Sequence, residues 1–346
     1  MQYRRLGRTD LQVSAICLGT MTWGGAQNNQ DDGFAQMDLA LDHGVNFWDT
    51  AEMYAVPPSA ETYGKTEAII GNWFKSRGKR DKVVLATKVC GRTQNPWVRD
   101  GRHRLDRGNI EAAIDASLKR LQTDYVDLYQ LHWPDRTTHR FGAFGHNAPP
   151  APGDVPILET LEALAGLVKA GKVRHIGLSN ETAWGTMEFV RLSEQHGLPR
   201  IVSIQNAYNL LNRTFDQDLA EVCLNTGVGL LAYSPIAGGH LTGKYLGGRI
   251  PPGTRRALDP RPSRYNTPRA EGAIQAYVDI ARRHGLEPNQ MAVAWTLTRP
   301  FVASSIIGAT SIPQLESNLR AIDLVLSPEV MKEIEEVHRA NANPCP

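Results

Sequence analysis

Three side chains able to exchange or hold a proton each follow a short apolar run in this chain. Asp49 closes Val45-Asn46-Phe47-Trp48, Lys88 follows Val83-Val84-Leu85-Ala86-Thr87, and His132 follows Val126-Asp127-Leu128-Tyr129-Gln130-Leu131. A fourth, Tyr54, lies in Asp49-Thr50-Ala51-Glu52-Met53-Tyr54, close enough for a loop to fold its hydroxyl back over the same point. A phenol has a pKa near ~10 and is a poor acid at neutral pH. An ammonium beside it stabilises the phenolate and lowers that pKa, so Lys88 is the expected tuner and Asp49 the group that keeps Lys88 charged and placed. A tuned tyrosine next to a histidine donor suits protonation of an oxygen as it gains negative charge. A loop tyrosine on its own is more often just packed under its loop. Tyr54 takes its meaning from the other three.

These groups meet only if the ends of their strands meet. Eight β-branched, apolar runs read as strands: Ile16–Leu18, Val45–Trp48, Val83–Thr87, Val126–Leu131, Val173–Leu178, Ile201–Ile204, Val228–Ala232 and Ser304–Ile307. Amphipathic stretches at helical period, such as Ile110–Leu121, Leu158–Val168 and Met187–Leu192, separate most of them. Parallel neighbours need crossover helices, so this alternation predicts an all-parallel sheet. The strand count and the lack of a G-x-G-x-x-G after the first strand favour a closed (β/α)8 TIM barrel over a doubly wound sheet. We expect one domain over residues 1–346, with residues 3–14 as a β-hairpin that plugs the bottom of the barrel. The remaining strand ends are polar too: Ser179-Asn180, Gln205-Asn206, Tyr233-Ser234 and Gly308-Ala309-Thr310-Ser311. Any one of these is explained as a turn residue, but seven consecutive strands delivering polar groups to one rim points to a site. Three long loops, at 90–107, 134–156 and 236–269, each follow a strand and so belong to that same C-terminal face.

The same residues carry a resemblance. Gly44-Val45-Asn46-Phe47-Trp48-Asp49-Thr50-Ala51, the stretch Leu118-Lys119-Arg120-Leu121-Gln122-Thr123-Asp124-Tyr125-Val126-Asp127-Leu128, and Ile176-Gly177-Leu178-Ser179-Asn180 resemble signatures of the aldo-keto reductase family. The match runs from residue 3 to about residue 325. Within the family the chain most resembles the bacterial Tas-like reductases and, more distantly, the β subunits of potassium channels. The resemblance implies an NADPH-dependent reductase of aldehydes and ketones. Tyr54 would be the general acid, Lys88 the group lowering its pKa, Asp49 the partner of Lys88, and His132 the donor orienting the carbonyl. Those channel subunits usually have Asn at the position of His132. The resemblance further implies nicotinamide contacts at Ser179, Asn180 and Gln205, a stacking ring at Tyr233, and proximity of Thr20 and Asp49 to the cofactor. Ser234, Pro235 and the loop through Lys244 would wrap the pyrophosphate, and Gly308, Thr310, Gln314 and Asn318 would bind the adenosine 2′-phosphate end. Arg255, Arg256 and Arg264 come into reach as counter-charges there.

Composition narrows the alternatives. With 38 basic and 36 acidic residues the formal charge is +2, so no basic footprint for nucleic acid is expected. Four scattered cysteines, Cys17, Cys90, Cys223 and Cys345, contain no C-x-x-C and read as reduced, mostly buried thiols. The start, Met1-Gln2-Tyr3-Arg4-Arg5-Leu6, has no apolar leader, and no run approaches the ~18 residues of a membrane span. A cytoplasmic protein acting on a small carbonyl compound is the expectation. Gly238-Gly239-His240-Leu241-Thr242-Gly243-Lys244 imitates a phosphate-binding P-loop, but Tyr245 stands where a magnesium-holding hydroxyl belongs. No histidine has metal-ligand spacing, and His139 and His146 fall in the long 134–156 loop. Ser311-Ile312-Pro313-Gln314 has capping-box spacing. Trp23, Met53 and Trp133 are expected to flank the pocket and favour an apolar or aromatic carbonyl. Two rivals remain: a slow-turnover NADPH-binding redox-sensing module, and an unrelated barrel lyase or isomerase.

Overall fold

The computed structural model describes residues 1–101, 103–138, 141, 148–259 and 261–345. His139, His146 and the middle of the 134–156 loop lie outside the described residues. Among the described residues ten strands are present: β1 (Tyr3–Arg5), β2 (Gln12–Ser14), β3 (Ile16–Gly19), β4 (Phe47–Asp49), β5 (Val84–Val89), β6 (Val126–Leu131), β7 (Val173–Ser179), β8 (Ile201–Ala207), β9 (Gly229–Tyr233) and β10 (Val302–Ile307). β1 and β2 form an antiparallel hairpin, and β3 to β10 form a closed barrel in chain order. Closure is made by β10 pairing β3 in parallel, with Ser305 opposite Ile16 and Ile307 opposite Leu18, which leaves the barrel no free edge.

Crossover helices carry the chain back between strands, among them Gln30–Asp42, Lys65–Arg77, Arg107–Leu121, Ile157–Lys169 and Ala183–His196. Their starts obey local chemistry. Asp106 accepts from the Asn109 amide, Thr182 from Gly185, and Asn29 forms a reciprocal capping box with Asp32. The box expected at Ser311 is displaced by one residue. Gln314 reaches back to the backbone N–H and hydroxyl of Thr310, and Ser311 caps nothing with its side chain.

The period of two along each strand sorts the barrel interior into layers. One layer contains Cys17, Phe47, Ala86, Leu128 and Leu231, closed from below by Leu6 and Val13 of the hairpin region. Two residues further along the same strands come Asp49, Lys88, Gln130 and Tyr233. Several strands run past the predicted ends because the polar residues themselves continue the ladder: Lys88 pairs with Gln130, and Ser179 with Gln205. The hydrophobic floor and the polar layer are therefore adjacent turns of one side-chain stack.

Candidate active site

Lys88 is fully buried, yet its ammonium is fully used. Nζ donates to Asp49 Oδ1 at 2.6 Å, to the Thr50 carbonyl at 2.8 Å and to the Tyr54 hydroxyl oxygen at 3.2 Å. Three donors and three acceptors leave no unsatisfied proton, the condition for tolerating a buried cation. Burial opposes the charge, but Asp49 and the Tyr54 oxygen outweigh it, and the ammonium's pKa stands above its ordinary value. Asp49 is held from the other side by Gln130 Nε2 at 3.0 Å and Gln205 Nε2 at 2.8 Å, and Gln205 also donates to Gln130 Oε1 at 3.1 Å. Gln130 escaped sequence reasoning because it sits inside an apolar run. Its signal is register: it is opposite Lys88 and two residues from inward-facing Leu128.

Tyr54 departs from expectation in one respect. Lys88 does pull its pKa down, but burial pushes harder, and the net direction is upward. The phenol is thus held in its protonated form. His132 meets it edge-on, with ring centroids 5.8 Å apart and planes at 80°. Burial, reinforced by the charge of Lys88, holds the imidazole's pKa well below its ordinary value, so the ring is neutral. Its Nδ1 is buried without a hydrogen-bond partner among the described residues.

The loop carrying Tyr54 is anchored by a residue that sequence reasoning passed over. Glu52 is fully buried; Oε1 accepts from the Cys90 amide at 2.7 Å, and Oε2 accepts from Arg99 and from the Tyr63 hydroxyl, each at 2.6 Å. It joins the Tyr54 loop to the residue two beyond Lys88 and to the 90–107 loop. All four cysteines are buried and free.

The residues expected around a nicotinamide are brought to one rim. Ser179 Oγ donates to the Gln205 carbonyl at 2.8 Å, and Asn180 Nδ2 donates to the His132 carbonyl at 2.9 Å. Tyr233 donates its hydroxyl proton to Asn180 Oδ1 at 2.8 Å. Thr20 is buried, its hydroxyl on the Asp49 carbonyl at 2.8 Å. After β9 the backbone takes left-handed conformations at Ser234, Ala237, Gly238 and Gly239, so the segment through Pro235 winds tightly toward Lys244. Lys244 lies over the Tyr245 ring at 5.2 Å and forms no ion pair among the described residues. After β10, Gly308 and Thr310 precede the helix Ile312–Leu319. Asn318 is buried on that helix, donating to the Gly308 carbonyl at 3.3 Å and accepting from Asn289 at 2.9 Å. Arg264 does not join this end; it lies against Tyr233, its guanidinium carbon 5.9 Å from the ring centre.

The expected aromatic walls are corrected. Trp23 is fully buried and donates to Gln36 at 3.2 Å, because it packs under the Gly33 helix turn. Met53 and Trp133 are nearly buried and pack with Cys90 and Val98 beneath the loops. Among the described residues, an open cleft of about 970 Å³ lies elsewhere and includes Asn180, Trp184, Asn206, Phe215, Tyr233 and Arg264. Among the described residues, one group has metal-ligand proximity, His284, Glu329 and Glu333, on helices outside this rim.

Residues 15–339 match the aldo/keto reductase family model. The chain is 50% identical to Protein tas of Escherichia coli K12 over the full length of both. It is 32% identical to a probable voltage-gated potassium channel subunit beta of Oryza sativa subsp. japonica, covering 97% of this chain and 96% of that one. It is 31% identical to L-glyceraldehyde 3-phosphate reductase of Escherichia coli O157:H7, covering 97% and 92%. Both the strand-end constellation and the family match lead to one statement: the chain belongs to the aldo/keto reductase family.

Proposed function

We propose that this protein is an NADPH-dependent reductase that converts aldehydes or ketones to alcohols. The observation that carries the reading is the Lys88 ammonium bonded at once to Asp49 and to the Tyr54 oxygen. NADPH, when bound, supplies a hydride to the carbonyl carbon. Tyr54 donates its proton to the carbonyl oxygen, and the neutral His132 ring donates a hydrogen bond to that oxygen. The phenolate left behind is stabilised by Lys88, which Asp49, Gln130 and Gln205 hold in place, until a solvent proton restores Tyr54. One hydride, which the cofactor would supply, and one proton from Tyr54 would thus add across the C=O bond to give the alcohol.

The residues fit such a dinucleotide. Gly238 and Gly239 let the backbone turn in, no neighbour lies within 4 Å of where a Gly308 side chain would start, and Lys244 has no carboxylate on it among the described residues. Asn180 and Tyr233 would meet the nicotinamide end, and Thr310, Gln314 and Asn318 the 2′-phosphate end. No helix among the described residues is long and apolar enough to cross a membrane. A cytoplasmic location and a small-molecule carbonyl partner belong to the same proposal.

Steady-state loss of NADPH absorbance with a panel of aldehydes, ketones and quinones tests it. Tyr54→Phe should bind NADPH nearly as the wild type does and lose about 10² to 10⁴ in turnover, the usual worth of general acid catalysis. Near-normal turnover in that variant would sink the assignment. Tight NADPH binding with at most a single slow turnover would instead favour the redox-sensing module.

A further inference from the structure

In the cleft beside the tetrad of Asp49, Tyr54, Lys88 and His132, one half-buried charge has no opposite among the described residues. Its inner wall is a chain of polar contacts: Asn180 bonds the His132 carbonyl at 2.9 Å, and Tyr233 bonds Asn180 at 2.8 Å. Arg264 Nη1 follows, 3.5 Å from the Tyr233 hydroxyl, at the outer limit of a hydrogen bond. The guanidinium also lies 5.9 Å from the centres of the Tyr233 and Tyr265 rings. Arg264 is half-buried, and among the described residues no carboxylate ion-pairs with it.

The other charges of the cleft are accounted for. Arg136 is held bidentately by Glu181, and Asp154 is held by Arg92 at 3.1 Å. Asp218 is exposed to solvent and needs no partner. A guanidinium offers five donors in a fixed fork that matches an oxyanion, and aromatic faces alone satisfy few of them. Beside it the cleft offers an apolar surface, with Trp184 62% and Phe141 43% exposed.

We propose that Arg264 is a specificity-determining residue, and that this site prefers carbonyl compounds carrying an anionic group, carboxylate or phosphate, on an apolar or aromatic body. The anion rests on Arg264 in the cleft while the carbonyl reaches Tyr54 and His132. This rests on the reductase reading above, and it places Arg264 on the substrate and not on the cofactor's 2′-phosphate.

The test compares 4-carboxybenzaldehyde, its neutral methyl ester and 4-formylphenyl phosphate in wild type, Arg264→Met and Arg264→Lys. Wild type should favour at least one anion over the ester in kcat/KM, and the two anions compared directly tell carboxylate from phosphate. In Arg264→Met the anion-over-ester ratio should fall by about 10- to 100-fold, the worth of a charge-assisted contact, with Arg264→Lys between. Equal handling of ester and both anions by wild type, or an unchanged ratio in Arg264→Met, overturns the proposal. So does a weakened NADPH dissociation constant in Arg264→Met with that ratio unchanged, which would put the guanidinium on the cofactor. Calorimetric binding of 4-(hydroxymethyl)benzoate separates the two levels. Arg264-dependent binding without oxidation of NADPH by any probe supports the anion site and defeats the reductase reading; absence of both defeats both.

Discussion

Tyr54 and His132 are tuned by burial more than by partners, and in opposite directions of charge. Burial raises the phenol and lowers the imidazole, so across neutral pH both stay uncharged and both keep a proton to donate. The sign follows: His132, held well below the ordinary imidazole value of about 6.5, is already neutral at the acid end of this range, and Tyr54 remains protonated below about pH 10. Reduction should therefore run at a nearly constant kcat between about pH 6 and 8. A bell centred in that window, from a pH–rate profile, would show that a different group titrates. Lys88 and Asp49 carry the charge instead. Lys88→Met should slow reduction with little change in NADPH affinity, since the phenolate formed at Tyr54 loses its cation. Asp49→Asn leaves a buried ammonium without a counter-charge, a change worth about 3 to 5 kcal/mol where a buried pair is broken. It should lower both kcat and the urea midpoint, and unchanged activity and stability in both variants would dissolve the pair. At this scale Asp49, Lys88, His132 and Tyr54 were legible because a polar residue ending an apolar run stands out. Gln130 and Glu52 were not, since one lies within a strand and the other looks like any loop glutamate until Arg99 and the Cys90 amide close on it.

Two loops, not one, frame the tetrad. Glu52 bonds the 90–107 loop through Arg99 and the end of β5 through Cys90, and Gly64 returns a backbone bond to the Glu52 carbonyl at 2.9 Å. The short segment that holds Tyr54 is thus clamped at both of its ends. Glu52→Gln keeps an acceptor for the Cys90 amide but leaves Arg99, largely buried, without an anion. We expect a loss of about 3 kcal/mol in urea unfolding, and less when Arg99→Met accompanies it, because the second change removes the uncompensated charge. Additive losses in the double variant would show that the two side chains do not interact. The crossover helices were read from their apolar period, and their ends fell up to four residues wider because caps such as Asp106 and Thr182 lie outside the apolar stripe. Gln314 caps Thr310 instead of Ser311, a one-residue shift that sequence spacing does not resolve.

Across the whole molecule, the eight-strand count and the alternation with helices were enough for the barrel. What they did not hold was the depth of each side chain: Trp23 reads as a pocket wall in sequence and is core in space. The same distinction bears on the cofactor's 2′-phosphate end, which would draw on two segments far apart in the chain. Around Tyr245 the structure gathers cations. Lys244 lies 5.2 Å and Arg256 5.9 Å from its ring centre. Burial first, and then Arg256, Lys244 and Arg255, hold the neighbouring His240 down at about 4. Asp259 is the carboxylate acting on Arg255, and burial lowers that guanidinium's own pKa. In the second segment, Gly308 to Pro313 contains no acidic residue that would repel a phosphate, and the Ile312–Leu319 helix starts there with outward N–H groups. Two charge-assisted contacts at ~1.5 to 3 kcal/mol each give a preference for NADPH over NADH of at least ~100-fold. Titration of both cofactors against one preparation, by quenching of protein fluorescence, measures it. Lys244→Met and Arg256→Met should each narrow the gap by about tenfold, mainly by weakening NADPH, whereas NADH, lacking the phosphate, should change far less. Equal dissociation constants for the two cofactors would mean that the basic cluster serves the loop's own packing and not a phosphate.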